Sequence, residues 1–131
     1  SVEGETDRVM LACAPGSQHF LGLTIVADFF RTAGSEVVLE ISSTQSELER
    51  AVANEWFDVV GISVALEAQL ETLPSLIQQL RAHSGNPKVC VVLGGPIFVL
   101  KTLHANELGA DAIFTDARDA VPAVKQLIRG G

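Results

Sequence analysis

Along this chain, short apolar runs alternate with stretches in which apolar residues recur every three or four positions. Arg8–Ala14 is an apolar run stopped by Pro15-Gly16, and it reads as a strand. Between Phe20 and Thr32, residues Phe20, Leu23, Val26, Ala27 and Phe30 fall on one helical face, and Gly34 supplies a C-terminal stop. Glu36–Ile41 predicts a second strand. Ser42-Ser43-Thr44 then offers N-caps to a helix marked by Leu48, Val52 and Trp56. Asp58–Val64, apolar and β-branched, predicts the third strand. Leu70–His83 predicts a helix with Leu73, Leu76, Ile77 and Leu80 inward and Pro74 in its first turn. Gly85-Asn86-Pro87 is a turn, Lys88–Leu93 the fourth strand, and Val99–Leu108 a helix ending at Gly109. Ala112–Phe114 is a short strand, and Asp116–Ile128 a last helix with Asp116 as its N-cap.

Five strands alternating with five helices imply βαβ units and a parallel sheet covered on both faces. With right-handed crossovers, the expected fold is a flavodoxin-like, doubly wound α/β domain with strand order 2-1-3-4-5.

Composition narrows the function. A length of 131 residues, 47% hydrophobic and 19% charged, is that of one globular domain. The net charge of −7 disfavours direct binding to nucleic acid or anionic lipid, because both attract basic surfaces. No apolar run approaches the length of a membrane span. Cys13 and Cys90 both lie in strand-like runs and read as buried, reduced thiols, which fits a cytoplasmic setting. Ser1 to Asp7 is polar and patternless. It reads as a linker remnant, with the domain proper at residues 8–131 and the whole a piece of a larger multidomain chain.

Topology predicts the site before any motif is read. In such sheets ligands bind beyond the carboxyl ends of the strands, where the winding reverses, here between strands 1 and 3. The loops that meet there are Pro15–His19, Ser63–Gln69, Gly94–Phe98 and Thr115–Asp116. His19 stands at the entry of the first helix. The positive helix end disfavours imidazolium there, and a neutral imidazole keeps a lone pair for a metal. Ser17 can cap the helix or hydrogen-bond the ligand. A plain surface histidine is the alternative reading. Gly94-Gly95 either opens space at the switch point or simply makes a strand-to-helix turn.

Other chemistries lack their residues. A phospho-acceptor receiver needs acids where Pro15, Gly16 and Ser63 stand. The first loop is too short for a flavodoxin phosphate loop, and neither GxGxxG nor GxxxxGK[ST] occurs. His19, His83 and His104 lie on different elements, without zinc spacing. His83 reads as a solvated helix end. His104 reads as a solvated helix residue or a visitor to the crevice rim. A Ser17–His19 nucleophile pair has no orienting acid, so the domain is expected not to be an enzyme.

Three motifs in order, Ser17-Gln18-His19-Phe20-Leu21-Gly22, Ser63-Val64-Ala65 and Gly94-Gly95, resemble the cobalamin-binding domains of methionine synthase, the mutases and related sensors. Gly109-Ala110-Asp111 also fits, and the resemblance runs from Arg8 to Ile128. That family carries Asp-x-His-x-x-Gly and Ser-x-Leu, so Ser17 stands for the Asp that hydrogen-bonds the axial His, and Ala65 for the Leu. The resemblance implies that His19 ligates the metal from below. It also implies that the cofactor's nucleotide tail enters a slot lined by Gly61, Ser63, Gly94 and Gly95, with Ser17, Gly22 and Ala65 completing the site.

The loss of the Asp resembles a sensor branch that holds heme instead of cobalamin, found in photosynthesis-gene antirepressors of purple bacteria. That likeness implies heme on His19, with redox or light state relayed to a transcriptional repressor. Two other expectations stand beside it. One is a cobalamin module of a methyltransferase, mutase or cobalamin-dependent regulator; the other is a cofactor-free docking domain.

Overall fold

Strands β1 (Arg8–Cys13), β2 (Glu36–Glu40), β3 (Val59–Ser63), β4 (Cys90–Gly94) and β5 (Ala112–Ile113) pair in parallel in the order β2-β1-β3-β4-β5. The computed structural model describes residues 6–16 and 21–130; Ser17, His19 and Phe20, named above, lie outside them. The strand order is the expected one, and it places β1 beside β3 at the reversal of winding.

Side chains alternate across the sheet, so the register decides what each layer holds. Met10 pairs with Val60, and Val60 with Val91; these face α2 (Gln45–Asn54) and α3 (Glu67–His83), whose Leu48, Val52, Leu73, Ile77 and Leu80 are buried in the same cluster. Leu11 pairs with Gly61, and Gly61 with Val92, on the opposite side. There α1 (Leu21–Thr32) buries Leu23, Ala27 and Phe30, and α6 (Ala117–Gly130) buries Val121 and Val124. Beneath this layer, Lys125 of α6 donates to Asp7 Oδ2 at 2.6 Å and Ser35 Oγ at 3.1 Å. Asp7, at the end of the polar lead-in, is thereby tied to the fold, and its carbonyl accepts the Glu36 N–H.

Local chemistry explains most boundaries. Thr44 caps α2 through a reciprocal capping box with Glu47. Asp116 accepts the Arg118 N–H at the start of α6, as an N-cap should. Gly109 ends α5 (Ala105–Leu108) in the left-handed conformation at φ 85°.

Three expectations are corrected. The helix expected over Val99–Leu108 is two short pieces, α4 (Ile97–Leu100) and α5, separated by extended backbone at Lys101 and His104. Phe98, Leu103 and Leu108 all pack on the core, yet a spacing of five residues rotates each about 140° from the last on an α-helix. One continuous helix cannot bury all three. Second, α3 starts at Glu67 rather than Leu70, which moves Pro74 from the first turn into the helix interior. Third, Trp56 lies past the end of α2 and is half-exposed, while Phe57 is buried in its stead. The Trp56 indole N–H reaches Asp58 Oδ1, and the Arg8 guanidinium sits over the Phe57 ring at 5.1 Å.

Candidate functional site

On the α1/α6 side, beyond the middle of β1, β3 and β4, the sheet opens into a crevice of about 770 Å³. Leu11, Gly61, Ser63, Val92 and Gly94 supply its floor, all at alternate positions that face the same way. Its walls are the first half of α1, including Leu21, Gly22, Ile25 and Val26, and the start of α6, Asp116, Ala117 and Ala120. Phe114 and Thr115 close the β5 side. The volume suits a small-molecule site, and the lining is apolar with few polar groups, chiefly Ser63, Thr115 and Asp116.

Glycine at two floor positions lets neighbouring groups approach the sheet closely. A Cβ on Gly61 would lie 2.7 Å from Leu11 Cδ2 and 3.6 Å from Val92 Cγ2. One on Gly94 would lie 3.3 Å from the Phe114 carbonyl. Neighbouring Gly95 has a different task. Its φ of 114° suits glycine, and a Cβ there would meet the Val64 carbonyl oxygen at 2.4 Å. The two glycines therefore differ: Gly94 lines the crevice in close approach to the Phe114 carbonyl, and Gly95 makes the turn.

Of the residues foreseen for the site, Gly22, Ser63, Gly94 and Gly95 line the crevice together, as does Gly61. Ala65 does not. Its N–H is held by Gln69 Oε1 at 3.1 Å, because the chain has already turned towards α3. Ser17 and His19 fall outside the described residues. His83 is exposed at the end of α3, with Nδ1 2.8 Å from the Gln79 carbonyl. His104 is exposed at the start of α5, away from the crevice lining.

Sequence reasoning named Gly22 of the α1 wall but missed Leu21 and Ile25. Leu21 and Ile25, one helical turn apart, are 75% and 51% exposed, so they are apolar residues left outside the core at the crevice mouth. They fall off the inward stripe that the spacing argument followed.

The charges at the site are quiet. The Arg118 side chain and backbone N–H hold the Asp116 carboxyl down to about 2, so it is ionised and paired at the mouth. Burial raises the Cys13 thiol above its ordinary range. Among the described residues, no group of three His, Cys, Asp or Glu side chains is placed to hold a bare metal ion, and none of their helices is long and apolar enough to cross a membrane.

The model of a known family, the B12 binding domain, matches residues 7–125, a span that includes all five strands. The chain belongs to the B12 binding domain family. Among its relatives, an uncharacterized 20.5 kDa protein in the bchF-crtJ intergenic region of Rhodobacter capsulatus is 31% identical over 108 residues, 82% of this chain and 56% of that protein. The methylmalonyl-CoA mutase large subunit of Streptomyces virginiae is 27% identical over 128 residues, 97% of this chain and 17% of that subunit. The B12 binding fold recurs in a cobalamin-binding protein from Desulfitobacterium hafniense, with TM-score 0.80 at 23% identity, over 94% of this chain and 60% of that one. The chain thus spans about half the length of the first of these relatives and a sixth of the second.

Proposed function

We propose that this B12 binding domain is a corrinoid carrier that lodges the nucleotide tail of cobalamin in the crevice. The observation that carries the reading is the floor of Gly61, Ser63 and Gly94 between the α1 and α6 walls. An extended tail needs a mostly apolar slot with a few polar partners, and the crevice lining has that character. Ser63, Thr115 and Asp116 are the polar groups available to orient it. His19, between β1 and α1 in the sequence, is the proposed axial ligand, a role in which neutral imidazole serves. The bound corrinoid supplies a reactive cobalt centre. The domain's own residues bind and orient it, and the chemistry or the signalling lies with other parts of a longer protein.

A second reading is favoured by one residue. Ser17 stands where the family's Asp hydrogen-bonds the axial His, and its likeness to the heme-holding sensor branch makes heme on His19, read out by a transcriptional repressor, the rival. The two readings separate in one titration. Purified domain is titrated with aquocobalamin and, separately, with hemin, as wild type and as His19→Ala. The carrier reading expects tight cobalamin uptake, with a spectral change that is lost in His19→Ala. A histidine-dependent heme band without cobalamin uptake would replace it with the sensor reading. Uptake of neither by the wild type would leave the docking reading.

A further inference from the structure

One buried polar side chain bridges the two loops that flank the switch point. Gln69, in the first turn of α3, is only 8% exposed. Its Oε1 accepts the N–H groups of Ala65 at 3.1 Å and Leu66 at 3.0 Å. Its Nε2 donates to the carbonyls of Ala14 and Pro15, each at 3.3 Å. Both donors and both acceptor directions of the amide are used. The orientation is fixed by chemistry, since a flipped amide would set its N–H groups against two N–H groups and its oxygen against two carbonyls.

The contacts fall where the sheet ends. The last β1–β3 pair is Cys13 with Ser63, followed by one bond from the Ala14 N–H to the Ser63 carbonyl. Beyond it, the Ala14 and Pro15 carbonyls have left the ladder, and Gln69 receives them. On the other side, Leu66 has no side-chain acceptor with which to cap α3, and Gln69 reaches back to satisfy its N–H. Val64, next along that exit, donates to the Gly94 carbonyl and accepts from Ile97, so the clamp extends to the β4 turn.

We propose that Gln69 is a positioning residue, which locks the exit of β1 to the exit of β3 and so sets where the chain departs towards His19. The part concerning His19 rests on the corrinoid reading; the lock itself does not.

Gln69→Glu separates the two arms. The carboxylate still accepts from Ala65 and Leu66 but faces the Ala14 and Pro15 carbonyls with no proton to give. Amide hydrogen exchange on the cofactor-free domain should then quicken at Cys13, Ala14 and Gly16, while Ala65 and Leu66 stay protected. In Gln69→Met, which is similar in size and uncharged, both exits should quicken. It serves alone should Gln69→Glu not fold. Unchanged exchange at the β1 exit in the folded variants would overturn the lock.

Aquocobalamin titration reads the second step. The affinity loss should be about tenfold, the low end for removing a group that orients a metal ligand, and should vanish when His19→Ala is already present. An equal loss in the His19→Ala background would overturn positioning through His19. Absence of corrinoid uptake by the wild type would defeat the proposed function instead, and the exchange pattern alone would then decide the lock.

Discussion

The two faces of the sheet are built by the same strands and end differently. On the α2/α3 face, β1, β3 and β4 present Met10, Ala12, Val60, Ile62, Val91 and Leu93, all buried and packed to the strand ends. On the α1/α6 face, the alternate residues begin as Val9, Val59 and Cys90 and finish as Cys13, Ser63 and Gly94, with Gly61 between Leu11 and Val92. Side-chain volume falls away towards the carboxyl ends on that face alone. One face is a foundation, and the other is a foundation with a slot cut into its upper half. The crevice therefore needs no separate element. It needs small residues at alternate positions of two neighbouring strands, and helices that do not collapse into the gap.

The sharpest way to break the comparison is to damage each face in turn. Leu73→Ala on the packed face should cost about 2–5 kcal/mol in denaturant unfolding, because the fully buried leucine leaves a cavity its neighbours cannot fill. Cobalamin affinity of the remaining folded protein should not change. Gly61→Val on the slotted face should do the reverse. Its branched side chain meets Leu11 and Val92 inside the slot, and overpacking of about 1–3 kcal/mol against the ligand corresponds to about 10–100-fold weaker binding. Its unfolding cost should be the smaller of the two: Leu11 Cδ2, 2.7 Å from the added Cβ, must move aside, but valine otherwise suits a strand better than glycine does. Equal loss of stability and of binding in both variants would erase the distinction between the faces.

A smaller effect sharpens the picture of the slotted face at its lower end. Burial, with Asp111 adding and Arg81 opposing, pushes the Cys90 thiol up to about 11 from an ordinary value near 9.0. The folded state therefore holds its proton after the unfolded chain has released it. The contribution to stability is complete below pH 9 and is lost as pH rises from about 9 to about 11. Urea midpoints measured across that interval should fall more steeply for wild type than for Cys90→Ala. Parallel curves would show that Cys90 does not sense its burial.

How much of this was legible in the sequence depends on the range of the interaction. Strand order followed from continuous apolar runs and alternating periodicities, and it located the crevice through the switch point alone. Gly95 could be read as a turn residue. The division of labour between Gly94 and Gly95 could not, because it depends on Val64 and Phe114 across the turn. The start of α3 was hidden for a similar reason. Gln69 caps it while bonding Ala14, a partner 55 residues away. The break between α4 and α5 carries no proline or glycine; it is encoded in the five-residue spacing of Phe98, Leu103 and Leu108, a signal that a search for helical repeats passes over. Ser17 and His19 were named from motif and topology, and their test is chemical.

The central claim is that the slot receives a tail, and a corrinoid that lacks the nucleotide tail tests it directly. Affinities of the wild type for cobalamin and for cobinamide are compared, and the pair is repeated with Gly61→Val. The account predicts that wild type prefers cobalamin by at least about tenfold and that Gly61→Val removes most of that preference. Equal affinity of the wild type for the two corrinoids, or a preference that survives Gly61→Val undiminished, would contradict it.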